Sequence, residues 1–330
     1  DEHSKARIRD YFEKIKSKKV TENNWKQALV PEGAIVIDNL NGTAPGLILE
    51  DKERGKAAIL IPGPPNEMKP MFEESVFPYL RKKQPEIIYS QMVKICSIGE
   101  SQVAEEIEDL IESQTNPTIA PYAKTGEVHL RITAKGKNEK ECKKLIKPVV
   151  KELKARFGRN IFATEESKSL EEAVVDMLKE QEMTLSLAES CTGGAIAARI
   201  VNVSGASEVF LQGMVTYSNK AKRRCLDVSK STLKKHGAVS EECAAEMAKG
   251  GRKASKTDIC LSVTGIAGPG GGTKEKPVGT VFMGCSYKGC TQVREFHFQG
   301  NRARVREQTV AHGLAFLRDC MMERADKQDK

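Results

Sequence analysis

The sequence predicts an α/β, multi-domain protein in which strand, loop and helix alternate at both ends and a small α+β segment lies between. Three observations carry this reading. Apolar runs such as Thr184–Glu189 and Asp258–Val263 end in Gly-rich loops, where the strands of open α/β sheets present ligand sites. Stretches with apolar residues at helical spacing follow such runs. A length of 330 residues suffices for two or three separate cores. The pattern divides the chain into residues 1–85, 86–165 and 166–330.

Hydrophobic content of 39% and charged content of 30% describe a globular chain. The net charge of +8, from 53 basic and 45 acidic residues, lies largely in helix-like runs such as Lys143–Lys154. These read as solvated faces, so nucleic acid is not an expected partner. Nine cysteines without a C-x-x-C pair argue against a disulfide framework or zinc ribbon and for a reducing, cytoplasmic setting. No apolar run is long enough to span a bilayer and no signal peptide opens the chain, so no membrane partner is expected. The first residue is Asp1 instead of methionine, which reads as processing or a fragment.

In order, residues 1–19 read as an amphipathic helix with Ile8, Tyr11, Phe12 and Ile15 at helical spacing. Gly42, Pro45 and Gly46 form a loop between two strands. A strand over Ala57–Ile61 enters PGPPNEM, and Met68–Tyr79 is helical. Ser101 with Glu105 suggests a cap for a helix bearing Val103, Ile107, Leu110 and Ile111. Val128, Leu130 and Ile132 alternate as a strand, and Glu139–Phe157 supplies a helix. A G-x-x-G clamp between helices is missing, so this segment reads as a spacer or dimerisation module. Ser167 or Ser169 caps a helix through Lys179, Ser229 begins a short helix, and Ser240 caps one that buries Cys243, Met247 and Ala248. Val278–Ser286 and Thr291–Phe298 form a hairpin around Lys288 and Gly289, and the last helix buries Val310, Leu314, Leu317 and Met321.

The chemistry concentrates where the strand Thr184–Glu189 stops. Ser190, Cys191 and Thr192 occupy a strand-to-helix turn opened by Gly193 and Gly194, whose backbone N–H groups suit an anion or oxyanion. A second strand, Val209–Thr216, leads to Tyr217 and Lys222. If the strands are neighbours, hydroxyl, phenol and amine converge: a serine needs a base, and a desolvated lysine is one. Ser190 is the candidate nucleophile, Lys222 the base, and Tyr217 a relay or orienting group. Cys191 is the rival nucleophile, though no His lies nearby in sequence. His236 is a further titratable candidate. The run from Thr264 to Gly279 lacks P-loop spacing, but its glycines permit close backbone approach to a ligand. Arg302, at the mouth of the last helix, suits a phosphate.

LAESCTGG, VTYSNKAK, HGAVSEE, SVTGIAGPGGGTKEKPVGTV and FQGNRARVR occur in that order over the last half of the chain. Together they resemble the C-terminal domain of the competence/damage-inducible CinA family, whose stand-alone relatives are nicotinamide mononucleotide deamidases. The resemblance implies a C-terminal α/β/α domain that hydrolyses the substrate's carboxamide to nicotinate mononucleotide and ammonia, with Ser190, Tyr217 and Lys222 catalytic and Lys220, at the variable position of Y-S-N-x-A-K, the alternative lysine. It further implies that Cys191, Thr192, Gly193, Gly194, Gly265, Ile266, Ala267, Gly268 and Arg302 contact substrate, without a cofactor. The middle segment resembles the family's KH-like domain. GTAPG and PGPPNEM resemble the second half of its molybdopterin-binding-like domain. That domain implies an alternative function, metal-dependent ADP-ribose pyrophosphatase, through a loop of paired aspartates expected upstream of Asp1. A sheet lacking its first strands is expected to leave a face uncovered. A homodimer is the expected assembly, and a noncatalytic nucleotide-binding role in competence or DNA damage is the other alternative.

Overall fold

The structure, a computed structural model, describes residues 1–16 and 20–328, which divide into two compact units with the boundary in sequence after Ile87. In the first, α1 (Glu2–Lys14) starts at Asp1, whose carboxylate accepts the Ser4 N–H at 2.7 Å. Residues 17–19 of the expected helix lie outside the described residues. After α2 (Glu22–Lys26) come β1 (Ile35–Ile37), β2 (Gly46–Asp51) and β3 (Lys56–Leu60), an antiparallel sheet in the order β1-β2-β3. Then α3 (Pro65–Met71) and α4 (Phe77–Lys83) run on through a π turn, longer than the expected helix at both ends. Ile37, Ile48, Met71 and Val76 form the core. Lys56, Ala58 and Leu60 are exposed, so the opposite face of the sheet is uncovered.

The second unit begins with an α+β module: β4 (Ile87–Cys96), α5 (Glu100–Glu106), α6 (Glu108–Glu112), β5 (Thr118–Lys124), β6 (Glu127–Gly136), α7 (Glu139–Phe157) and β7 (Ile161–Ala163). Its sheet runs β5-β6-β4-β7. The side chain of Asn138 caps α7, whose Cys142, Ile146, Val150, Leu153 and Phe157 are buried. Ser101 does not cap its helix as expected. Gly99 is the N-cap and no side chain supplies a cap bond, because the helix starts one residue before the serine.

The C-terminal half is a three-layer α/β/α domain. Its elements are α8 (Leu170–Glu180), β8 (Leu185–Glu189), α9 (Ala195–Val201), β9 (Phe210–Val215), α10 (Asn219–Leu226), α11 (Lys230–Lys235), α12 (Glu241–Ser255), β10 (Ile259–Gly265), β11 (Thr280–Tyr287), β12 (Cys290–His297) and α13 (Arg302–Gln328). The sheet order is β12-β11-β10-β8-β9, with β8 parallel to both β9 and β10. β8 and β10 are buried on both faces, and Ser186 and Ser262 within them find hydrogen-bond partners in Thr257 and in Ala244 O. One core joins the sheet to α8, α9 and α13 through Leu178, Leu187, Ile196, Leu261, Met283 and Leu314. On the other face Ala188 and Cys260 meet Leu226, Cys243 and Met247. Ser169, Ser229 and Ser240 each cap a helix as expected, Ser169 in a full capping box with Glu172.

Candidate active site

Parallel pairing carries the ends of β8, β9 and β10 to one edge of the sheet, where the loops after them enclose a cavity of about 180 Å³. Ser190 follows β8, and its N–H is held by Val263 O of β10 at 3.0 Å. Gly194 then turns the chain into α9 with φ of +95°, a conformation that glycine adopts without steric cost. From the neighbouring strand the chain passes through Thr216 and Tyr217 to Ser218, whose hydroxyl accepts the Ala221 N–H and starts α10. Lys222 lies one turn into that helix. Side chains on a helix lean toward its N-terminus, so Lys222 points back at the strand ends.

Lys222 is only 1% exposed. Its Nζ lies 2.8 Å from Ser190 Oγ, 2.9 Å from Thr216 O and 3.4 Å from Tyr217 O. Burial lowers its pKa from the ordinary lysine value. Cys191 is 5% exposed and burial pushes its thiol up to about 12, which leaves it protonated and a poor nucleophile at neutral pH.

Tyr217 does not join this pair through its phenol, contrary to the expectation of a convergent triad. The residue is 63% exposed and only its backbone carbonyl approaches Lys222. The phenol oxygen instead accepts a hydrogen bond from Arg302 Nη2 at 3.1 Å, while Nη1 donates to Gly268 O at 2.9 Å. Tyr217 and Arg302 thus stand together at the cavity wall, with Ala238, Val239, Thr264, Gly265 and Ala267 completing it. Gly268 has φ of +82°, and a Cβ there would stand 2.6 Å from Val278. The Ile266 N–H is committed to Thr280 O. His236 pairs with Glu242 at 2.8 Å, and its carbonyl and that of Val239 accept from Lys276 Nζ at 3.0 and 2.6 Å.

The expected oxyanion donors need correction. Glu189, 1% exposed, accepts the N–H groups of Gly194 and Ile196 on Oε2 and of Ala197 on Oε1, at 2.9, 3.2 and 2.9 Å. Gly193 N–H donates to Ser190 O at 3.2 Å. The helix start is therefore saturated by its own chain. Sequence reading passed over Glu189, although an acidic residue just before a Gly-Gly helix start is a cue for a side chain turning onto free N–H groups. It also passed over Arg306 of α13, which donates from Nε to Cys191 O at 3.1 Å and from Nη2 to Thr192 O at 2.7 Å. No local pattern links positions so far apart.

Among the described residues no three His, Cys, Asp or Glu side chains cluster to hold a metal ion. Glu67 of the PGPPNEM segment accepts from Asn39 Nδ2 at 2.6 Å. No helix among the described residues is long and apolar enough to cross a membrane.

Comparison with known proteins agrees with this architecture. Residues 167–321 match the CinA C-terminal domain and residues 90–163 the damage-inducible protein CinA KH domain. A putative competence-damage inducible protein of Clostridium beijerinckii is 54% identical over 98% of this chain and 78% of its own length. A CinA-like protein of Kosmotoga olearia is 50% identical over 96% of this chain and 76% of its own. The crystal structure of a competence/damage inducible protein from Agrobacterium tumefaciens, 39% identical, covers 45% of this chain and 91% of its own, with a TM-score of 0.44. With its KH and C-terminal domains both matched and such relatives along nearly its whole length, the chain belongs to the CinA family.

Proposed function

We propose that the C-terminal domain is an amidohydrolase that converts nicotinamide mononucleotide to nicotinate mononucleotide and ammonia. The observation that carries this reading is the buried Lys222 amine 2.8 Å from the Ser190 hydroxyl, with two backbone carbonyls on its other sides. A neutral amine has two N–H groups and one lone pair. With the N–H groups directed to Thr216 O and Tyr217 O, the lone pair faces Ser190 Oγ–H. Among the described residues no carboxylate contacts Nζ, and burial favours the neutral form, so the amine gives up its proton more readily than an exposed lysine does.

Ser190 Oγ attacks the carboxamide carbon as its proton passes to Lys222. The resulting ammonium of Lys222 protonates the departing nitrogen, ammonia leaves, and an acyl-Ser190 ester remains. Lys222, neutral again, takes a proton from water as the water oxygen adds to the ester carbonyl. The C–Oγ bond then breaks and the proton returns to Ser190. Arg302, held by Tyr217 and Gly268, is the group suited to the substrate's phosphate. Pyridine nucleotide salvage in the cytoplasm, by a homodimer, is the setting this reading supports. Ammonia release from nicotinamide mononucleotide tests it: release by the protein and none by Ser190→Ala is expected, and equal release by both excludes Ser190 as nucleophile.

A further inference from the structure

The attack described above creates a negative oxygen, and the helix-start N–H groups are already taken. Those of Cys191 and Thr192 carry no hydrogen bond to another residue among the described ones, and Cys191 lines the cavity beside Ser190. In a planar trans peptide the N–H points opposite the preceding C=O, so whatever holds the carbonyls of the turn aims its donors. Ser190 O is held by Gly193 N–H, and the next two carbonyls, of Cys191 and Thr192, are held by one guanidinium, that of Arg306.

We propose that Arg306 is the positioning residue of the oxyanion site. It rests on the amidase reading and goes beyond it by naming what fixes the geometry of the turn. As Ser190 Oγ bonds to the carboxamide carbon, the π electrons move onto oxygen. The Cys191 N–H meets the new charge: its peptide plane is set by Ser190 O, which the Gly193 N–H holds, and the Gly193 peptide is set in turn by Thr192 O on Arg306. The rigid fork of Arg306 spans two successive carbonyls, which a lysine ammonium on a flexible stem cannot reproduce. Its effect belongs to the transition state, because the donors are needed only once charge appears on the oxygen.

The test compares Arg306→Ala and Arg306→Lys with the wild-type protein in two assays: steady-state ammonia release from nicotinamide mononucleotide, and the rate at which a fluorophosphonate labels Ser190, read by intact mass. In labelling, an Oγ–P bond forms, fluoride leaves and the serine proton goes to Lys222, so this assay reads the turn without the nucleotide. Expected for Arg306→Ala are a kcat lower by about 10²-fold, a KM within about threefold, an unshifted pH profile and a comparable slowing of labelling. Added guanidinium restores part of both rates, and Arg306→Lys falls between. Unchanged kcat and labelling overturn the proposal, as does a loss seen only in KM or one that guanidinium cannot restore in folded protein. Wild-type protein that labels at Ser190 yet releases no ammonia refutes the substrate assignment alone, and labelling still decides Arg306. No labelling and no release overturn the nucleophile and this proposal together.

Discussion

Replacing Glu189 with alanine removes the acceptor of three backbone N–H groups at the start of α9. A buried donor left without a partner costs about 1–3 kcal/mol. Ile196 is fully buried and its N–H bears the full cost, while Gly194 and Ala197 are half-buried and recover part of theirs from water. The sum is about 3–5 kcal/mol, which for a unit of this size lowers the melting temperature by about 10 °C. Far-UV circular dichroism is the appropriate probe, because the only tryptophan, Trp25, lies in the first unit and does not report on the second. Hydrogen exchange over residues 190–201 should accelerate at those three amides. A loss under about 1 kcal/mol with their exchange unchanged would refute the clasp.

Three further outcomes are expected. Activity should rise with pH as Lys222 loses its proton, at a pH below that of an exposed lysine, since burial lowers its pKa; Lys222→Arg should be inactive throughout, and a rise at the pH of an exposed lysine would contradict neutralisation by burial. The same depressed pKa means the unfolded chain binds the extra proton between the two values, so a stability penalty fully present below the folded pKa is relieved as pH rises from there to the pKa of an unfolded lysine. Arg302→Ala should raise KM for the mononucleotide about tenfold or more with little change for the unphosphorylated riboside, and Tyr217→Phe should do so more weakly; an equal effect on both substrates would count against phosphate binding. His312 packs against Phe296 and Phe298 with centroids at 5.6 and 5.0 Å, and burial lowers its pKa. Stability should therefore fall as pH drops from about 6.5 toward the lower folded value, and His312→Phe should flatten that loss in pH-dependent melts.

Local chemistry made much of this legible. Alternation in Val128, Leu130 and Ile132, the caps of Ser169, Ser229 and Ser240 and the Gly-Gly pair after Ser190 each act within a few residues and appear where expected, whereas the cap expected of Ser101 does not form. The pairing of β8 with β9, needed to bring Lys222 to Ser190, follows from strand order, which spacing alone leaves open. What escaped reading was directional or distant. Tyr217 supplies a carbonyl to the site while its ring turns to Arg302. Glu189 lies in a buried strand, yet its carboxylate curls onto the following helix. Arg306 reaches the turn from the last helix, over 100 residues away.

The aim of Lys222 is written into the main chain. Its two fixed neighbours besides Ser190 are the carbonyls of Thr216 and Tyr217, which every amino acid carries. Exchanging side chains at those positions leaves the amine pointing the same way, so the proposed base is shielded from most point substitutions there. Its vulnerability is to chain length: one residue added or removed between Thr216 and Lys222 rotates the amine by about 100° around the helix axis, and Ser190 loses its partner with every side chain of the site still present.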